Sequence, residues 1–265
     1  IAYPAQWDDY AGLEIKPDDP LGNILRARTY RYRRNLAKIG KPIDKTEWPV
    51  PVTATNAYYD SVQNAITVPA ALLQPPFFDP KADDGTNLGS LGAVVAHELA
   101  HAIDEEGAKY DAEGRRRDWW TAEDYWQFRQ RASCFIEQYK RAAAQHGNGL
   151  VNAREQDAFL TAGEIIADNI GLKVALLALQ AEETTGSSPG APAAGAINGL
   201  TPEQRFFTAF ARMWCEAGDR ATGGSDVHPP AEYRVKGVLQ NFPEFREAFA
   251  CAQEDKPTAN ACTMW

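Results

Sequence analysis

Cysteine, histidine and methionine are all scarce in this chain, and the pattern of each scarcity narrows what the protein can be. The four cysteines include no Cys-x-x-Cys pair, so a zinc held structurally by paired thiolates is unexpected. Long apolar runs are missing as well. No stretch reaches the ~18 apolar residues a membrane-crossing helix requires. Positive charge is in deficit: 27 Lys+Arg against 36 Asp+Glu give a formal charge of -9. The basic residues are not interleaved with aromatics in a stripe, which argues against a nucleic-acid surface. The densest basic stretch, Arg26 to Arg34, reads as a solvated or interdomain helix face. What remains, 44% hydrophobic and 24% charged residues, describes a globular chain able to bury a substantial core as one or two domains.

Two of the four histidines fall in one segment, His97-Glu98-Leu99-Ala100-His101. On a helix, positions four apart lie one above the other. Two imidazoles at this spacing can share one metal while the glutamate between them reaches a water beside it. Leu91 to Ala96 runs into the motif without proline, and Gly107 offers a helix stop after Glu105 and Glu106. The same pattern also arises on helices with two ordinary histidines, so a third ligand has to decide. The segment Gly163-Glu164-Ile165-Ile166-Ala167-Asp168-Asn169 offers one. Glu164 and Asp168 are four apart on a second expected helix, and the neighbours Ile165, Ile166, Ala167, Ile170 and Leu172 mark that helix as buried. Buried carboxylates need partners. Glu164 can complete a metal shell with His97 and His101, leaving a fourth position open for water, as catalytic sites do. Asp168 can accept a hydrogen bond from a ligating imidazole and fix its tautomer. Asp104, about one helical turn beyond His101, is a second candidate for that part. A longer motif with a third histidine at position 107 is excluded, because glycine stands there.

Around these segments stand Asn56-Ala57-Tyr58-Tyr59, Leu73-Gln74-Pro75-Pro76-Phe77-Phe78 and Asp118-Trp119-Trp120. Asp226-Val227-His228-Pro229-Pro230, Tyr233-Arg234-Val235 and the terminal Cys262-Thr263-Met264-Trp265 follow them. In this order they resemble the catalytic half of the neprilysin-like zinc metalloendopeptidases, the family of neprilysin, the endothelin-converting enzymes and the bacterial secreted oligopeptidases. Departures are small: Ile165 stands where the family usually has Asn, Ile170 where it often has Gly, and Ala102-Ile103 where Gly-Phe is common.

The resemblance implies an α+β, mostly helical, thermolysin-like zincin lobe with a small sheet and one zinc ion per chain. It implies endopeptidase cleavage of oligopeptides on the amino side of hydrophobic residues. Glu98 is then the general base, with Asp168 orienting a histidine. His228 becomes the group that stabilises the oxyanion, although the residues alone would leave it an exposed loop side chain. Arg234 binds a substrate carbonyl, the alternative being a surface salt bridge. Asn56 and the backbone of Ala57 hold an extended substrate as an added strand, the alternative being an ordinary hairpin. A Cys134–Cys262 disulfide is implied too. Cys215 and Cys251 would pair, in the animal enzymes, with cysteines upstream of this chain; an interchain bridge, a mutual bond and free thiols all stay open. An extracellular or periplasmic location follows from the cysteines and the family.

Family members are more than twice this length, and the chain starts at Ile1 without a leader-like apolar block. It therefore reads as a carboxy-terminal catalytic portion whose other lobe is a separate chain, cleaved or absent. Two rival readings remain: a catalytic subunit that is inactive without that partner, as half of a heterodimer, and a non-catalytic zinc-binding interaction protein. Glu98 argues against the last, since a structural site has no use for a base. Residues 1–50 read as a helical arm packing on the lobe or on a partner, with a helix from Leu21 to Ile39, and residues 51–265 as the catalytic lobe. Within the lobe, Asn56 to Tyr59 and Ala65 to Val68 read as strands. Residues 123 to 146 read as a helix burying Phe128, Phe135 and Tyr139. Residues 183–199 read as a flexible loop and Glu203 to Glu216 as a helix after Pro202, its Phe206, Phe207, Phe210 and Trp214 stripe given over to packing. His146 reads as exposed and without function.

Overall fold

The computed structural model describes residues 1–145, 155–185, 196–215, 227–251 and 261–264. The elements among them are, in chain order, α1 (Pro20–Leu36), β1 (Tyr58–Asp60), β2 (Ala65–Thr67), the one-turn α2 (Asp84–Asn87), α3 (Ala93–Ala100), α4 (Ala122–Gln145), α5 (Glu155–Leu160), α6 (Ala162–Thr185), α7 (Pro202–Met213), α8 (Ala231–Leu239) and α9 (Pro243–Ala248). This is the mostly helical α+β architecture with a small sheet that the sequence implies.

The core is built around α6. Ile165, Ile166, Ala167, Leu172, Leu176 and Leu179 leave it almost without a polar side, and all are buried, as befits a helix apolar nearly all round. One end packs with Phe128, Phe135 and Tyr139 of α4, the aromatics expected to face inward. The other packs with Phe206, Phe207 and Phe210 of α7, each burial worth about 1.5–3 kcal/mol. α7 starts where it does because Thr201 and Gln204 form a reciprocal capping box and Pro202 occupies the first turn. A Cys134–Cys262 disulfide, closing a separation of 128 residues, ties the carboxy-terminal segment to α4. The Arg131 side chain adds a bond to the Met264 carbonyl at 2.7 Å.

β1 and β2 form an antiparallel hairpin with Tyr58 opposite Thr67 and Asp60 opposite Ala65. The Asp60 carboxylate accepts the Val62 and Gln63 N–H groups to close the turn. The first strand begins at Tyr58, so Asn56 and Ala57 precede it. Leading into α3, residues Leu88–Gly92 form a π-turn that no sequence signal announces. Ser90 Oγ donates to the Phe77 and Thr86 carbonyls there.

Several boundaries differ from expectation. α1 ends at Leu36 rather than Ile39, and α7 at Met213, with Glu216 outside the described residues. α6 runs to Thr185, into the segment expected as loop 183–199, of which 186–195 lie outside the described residues, as does His146. The expected stop at Gly107 comes earlier: α3 gives way to a 3-10 turn at His101–Ile103. Asp104 is extended there, its carboxylate accepting the Glu106 and Gly107 N–H groups at 2.9 and 2.7 Å. Gly107 serves the turn instead of capping a helix, because a Cβ would fall 1.8 Å from the His101 carbonyl oxygen.

α1 is set apart from this core, with none of its residues buried. Polar contacts hold it to the preceding segment. Arg26 reaches Asp19 and the Glu14 carbonyl, and Arg34 pairs with Asp8. No helix of the described residues is long and apolar enough to cross a membrane.

Candidate active site

α3 and α6 lie against each other, and their facing sides carry the histidines and carboxylates read from the sequence. His97 and His101, one turn apart, project in the same direction with rings edge to face at 4.6 Å. Glu164 reaches across from α6, with Oε2 3.3 Å from His97 Nε2 and Oε1 3.7 Å from His101 Nε2. Ligand atoms of these three residues all fall within 4.8 Å of one another.

The donor set fits a divalent cation, and the hydrogen bonds show why. His97 Nδ1 faces Asp168 Oδ1 at 2.8 Å, and His101 Nδ1 faces Asp104 Oδ2 at 2.6 Å. A carboxylate accepts, so in each neutral imidazole Nδ1 carries the proton and Nε2 presents a lone pair. The two Nε2 atoms are 3.0 Å apart. Two lone pairs beside a carboxylate at that distance repel unless a cation lies among them. Glu164 Oε2 is buried without a hydrogen-bond donor among the described residues, another atom that a cation would satisfy. Burial pushes His97 down, but Asp168 and Glu164 outweigh it and raise it to about 9.

Asp168 is 3% exposed and doubly engaged. Arg234 of α8 grips it with Nε at 2.7 Å from Oδ2 and Nη2 at 2.5 Å from Oδ1. Burial raises this carboxyl, yet Arg234 and His97 prevail and hold it at about 2. Arg234 in turn lies 3.8 Å over the Trp214 ring. The guanidinium to which the resemblance gives a substrate carbonyl is not the surface pair of the alternative: it is buried and grips the carboxylate that bonds His97.

These groups line a cleft of about 430 Å³. Glu98 is buried in it, burial pushing its carboxyl above the usual range against the pull of His97 and His101. The Tyr59 backbone N–H of β1 adds a smaller pull in the same direction as the two imidazoles. His228, 41% exposed in its side chain, stands with Nε2 3.5 Å from Glu164 Oε2. Asn56 and Ala57 also line the cleft, while Leu72, Phe77, Val94, Phe210 and Met213 make an apolar wall.

The chain is also similar to known proteins. Residues 56–263 match the family model described as Peptidase family M13. The chain belongs to that family. An endothelin-converting enzyme homolog of Locusta migratoria is 36% identical across 100% of this chain and 36% of its own length. Human neprilysin is 33% identical across 97% of this chain and 34% of its own. Among solved structures, the zinc metalloprotease Zmp1 of Mycobacterium tuberculosis in complex with an inhibitor superposes with a TM-score of 0.83. It is 40% identical over 97% of this chain and 39% of that one. The chain spans about a third of the length of the curated relatives it matches.

Sequence reasoning left some of this family member's cleft unread. Trp214, assigned to packing, lines the cleft and supports Arg234. Its place at the open end of the α7 stripe, past Phe210, is the signal that could have found it. The Tyr59 N–H carries no side-chain signature at all. Cys215 and Cys251 are exposed free thiols, not bonded to each other.

Proposed function

We propose that this chain is the catalytic lobe of a zinc-dependent endopeptidase that hydrolyses oligopeptides. The observation that carries it is the convergence of His97, His101 and Glu164 in one cleft with a buried, non-ligating glutamate, Glu98. His97, His101 and Glu164 would hold the zinc, which supplies Lewis acidity when bound, polarising a carbonyl and lowering the pKa of water from ~15.7 towards ~7. Glu98 takes the proton of the attacking water and delivers it to the departing amine; a raised carboxyl suits both transfers. His228 donates to the oxygen that becomes negative as the carbonyl is attacked. Asp168 and Asp104 keep the two imidazoles turned with Nε2 inward. Arg234 holds Asp168 first, and its remaining nitrogen, Nη1, is what it offers a substrate carbonyl. Asn56 and Ala57, leading into β1, pair with an extended peptide. The apolar wall receives a hydrophobic side chain, which supports cleavage on the amino side of such residues.

The test is hydrolysis of an internally quenched hydrophobic peptide by the zinc-loaded chain beside its Glu98→Gln variant. We expect at least ~100-fold loss in the variant with zinc retained; equal rates would defeat the assigned mechanism.

A second reading, a lobe inactive until a partner covers it, has its own support. Leu21, Leu25, Tyr32 and Leu36 recur at helical spacing on α1 and are 68%, 55%, 64% and 45% exposed. An apolar stripe of this kind marks an interaction face. Residues 1–50 would then be an arm that docks another lobe or chain, with Cys215 and Cys251 open to interchain bonds. The Cys134–Cys262 bond suits an extracellular or periplasmic setting. Silence from a chain with zinc bound would favour this reading.

A further inference from the structure

We propose that Gly171 is a positioning residue for the metal centre, its missing side chain setting the α3–α6 separation at which Glu164 reaches both histidines. The proposal rests on the metal-site reading above. Residues Glu164, Asp168, Gly171 and Ala175 follow one another at helical spacing, so they share a face of α6. That face lies on α3: Asp168 bonds His97, Glu164 approaches both imidazoles, and Ala175 packs in the same core cluster as Ala93.

A Cβ at Gly171 would fall 2.6 Å from the His97 nitrogen, 2.8 Å from the His97 Cα and 3.0 Å from the Ala93 carbonyl oxygen. All three are backbone atoms of α3, so no side chain can rotate out of the way. The helices would have to part or slide. The collision falls on His97 itself, and any such movement displaces this residue from Glu164 on the opposite helix. Metal–ligand distances hold within about 0.2 Å, far less than the several tenths of an ångström needed to relieve the contact. Backbone conformation gives no competing reason for glycine. Gly171 lies inside a helix and is not among the positive-φ residues. Alanine is the better helix former there, so close approach is what the glycine serves.

The experiment compares Gly171→Ala with Gly85→Ala. A Cβ at Gly85 would meet the Pro202 carbonyl oxygen at 2.6 Å, an equal backbone collision at the α2–α7 contact, away from the cleft. Each variant is freed of metal, titrated with Co²⁺, and read by its visible absorption and by circular dichroism. Both should unfold at lower temperature than the wild type. Folded Gly171→Ala should bind Co²⁺ at least ~10-fold more weakly with altered ligand-field bands, while Gly85→Ala keeps the wild-type spectrum and affinity. A wild-type spectrum and affinity in Gly171→Ala would overturn the proposal, as would the same metal defect in Gly85→Ala. If Gly171→Ala does not fold, Glu164→Asp decides. Shortened by one methylene across a fixed gap, it should lose ~10-fold in Co²⁺ affinity, and unchanged affinity would show that the gap is not tuned. A wild-type chain that binds no Co²⁺ would instead refute the site reading on which the proposal stands.

Discussion

Asp168–Arg234 and Asp83–Arg205 are alike in residue type and burial, and they do different work. The first joins α6 to α8 beneath the cleft. The second joins the start of α2 to α7, with Arg205 Nε 2.8 Å from Asp83 Oδ1. All four residues are at most 8% exposed. Their remaining partners separate them. Asp83 also accepts from the Thr86 hydroxyl and backbone, and Arg205 reaches the Leu200 carbonyl. Those partners belong to the scaffold. Asp168 shares Oδ1 between Arg234 and His97, and Arg234 rests on Trp214. A buried ion pair becomes part of a site when one of its atoms also fixes a group that faces the cleft.

The largest effects should come from removing one partner of each pair. Asp168→Ala and Asp83→Ala should each cost about 3–5 kcal/mol in urea unfolding, since each takes from a buried guanidinium the carboxylate that grips it. Competition with a chelator should divide them: ~10–100-fold weaker zinc binding for Asp168→Ala and none for Asp83→Ala. Equal metal defects would erase the distinction drawn above.

Acid should act on the scaffold pair in a sign that can be worked out. Burial pushes the Asp83 carboxyl up, but Thr86 and Arg205 outweigh it and leave it below the usual carboxylate range. A depressed carboxyl contributes stability that is present above its unfolded value, near ~3.9, and is lost as pH falls through the folded one. The stability gap between metal-free wild type and Asp83→Asn should therefore be widest above about pH 5 and close below it. Parallel acid limbs in the two proteins would contradict this. Smaller again is the contribution of the ring under Arg234. Trp214→Leu should cost about 1–2 kcal/mol, and Trp214→Phe less, by the same urea measurement.

What was legible in the sequence is what repeats at short range. His97 and His101, and Glu164 and Asp168, are each four apart, so helical geometry alone put each pair on one face. The Phe206, Phe207 and Phe210 stripe declared its buried side in the same way. The pairing of those faces was not legible from spacing. Arg234 meets Asp168 across 66 positions and Arg205 meets Asp83 across 122. The Asn241 side chain links Gln138, Asn169 and the Cys262 N–H, and no local pattern marks it. The π-turn before α3 is likewise decided by tertiary contacts. Ser90 bonds the Phe77 carbonyl, and Gly89 is pressed so close to Phe206 that a Cβ would lie 2.1 Å from its carbonyl oxygen. Family resemblance supplied the Cys134–Cys262 bond, which residue counting left open. It gave Arg234 a substrate role without revealing its grip on Asp168.

The arm supplies a third pair of the same chemistry, and the smallest predicted effect. Asp8 and Arg34 join the leading segment to α1, but their side chains are 37% and 36% exposed. Water competes for both ions, and holding two mobile side chains together costs entropy, so such pairs contribute about 0–1 kcal/mol. Asp8→Ala should therefore leave urea unfolding of the isolated chain within about 1 kcal/mol of wild type, and high salt should remove even that difference. It should leave zinc affinity unchanged. A loss comparable with that of Asp83→Ala would mean that the arm is bound into the cooperative core in solution. The exposed stripe of Leu21, Leu25, Tyr32 and Leu36 would then be facing its own lobe instead of waiting for another.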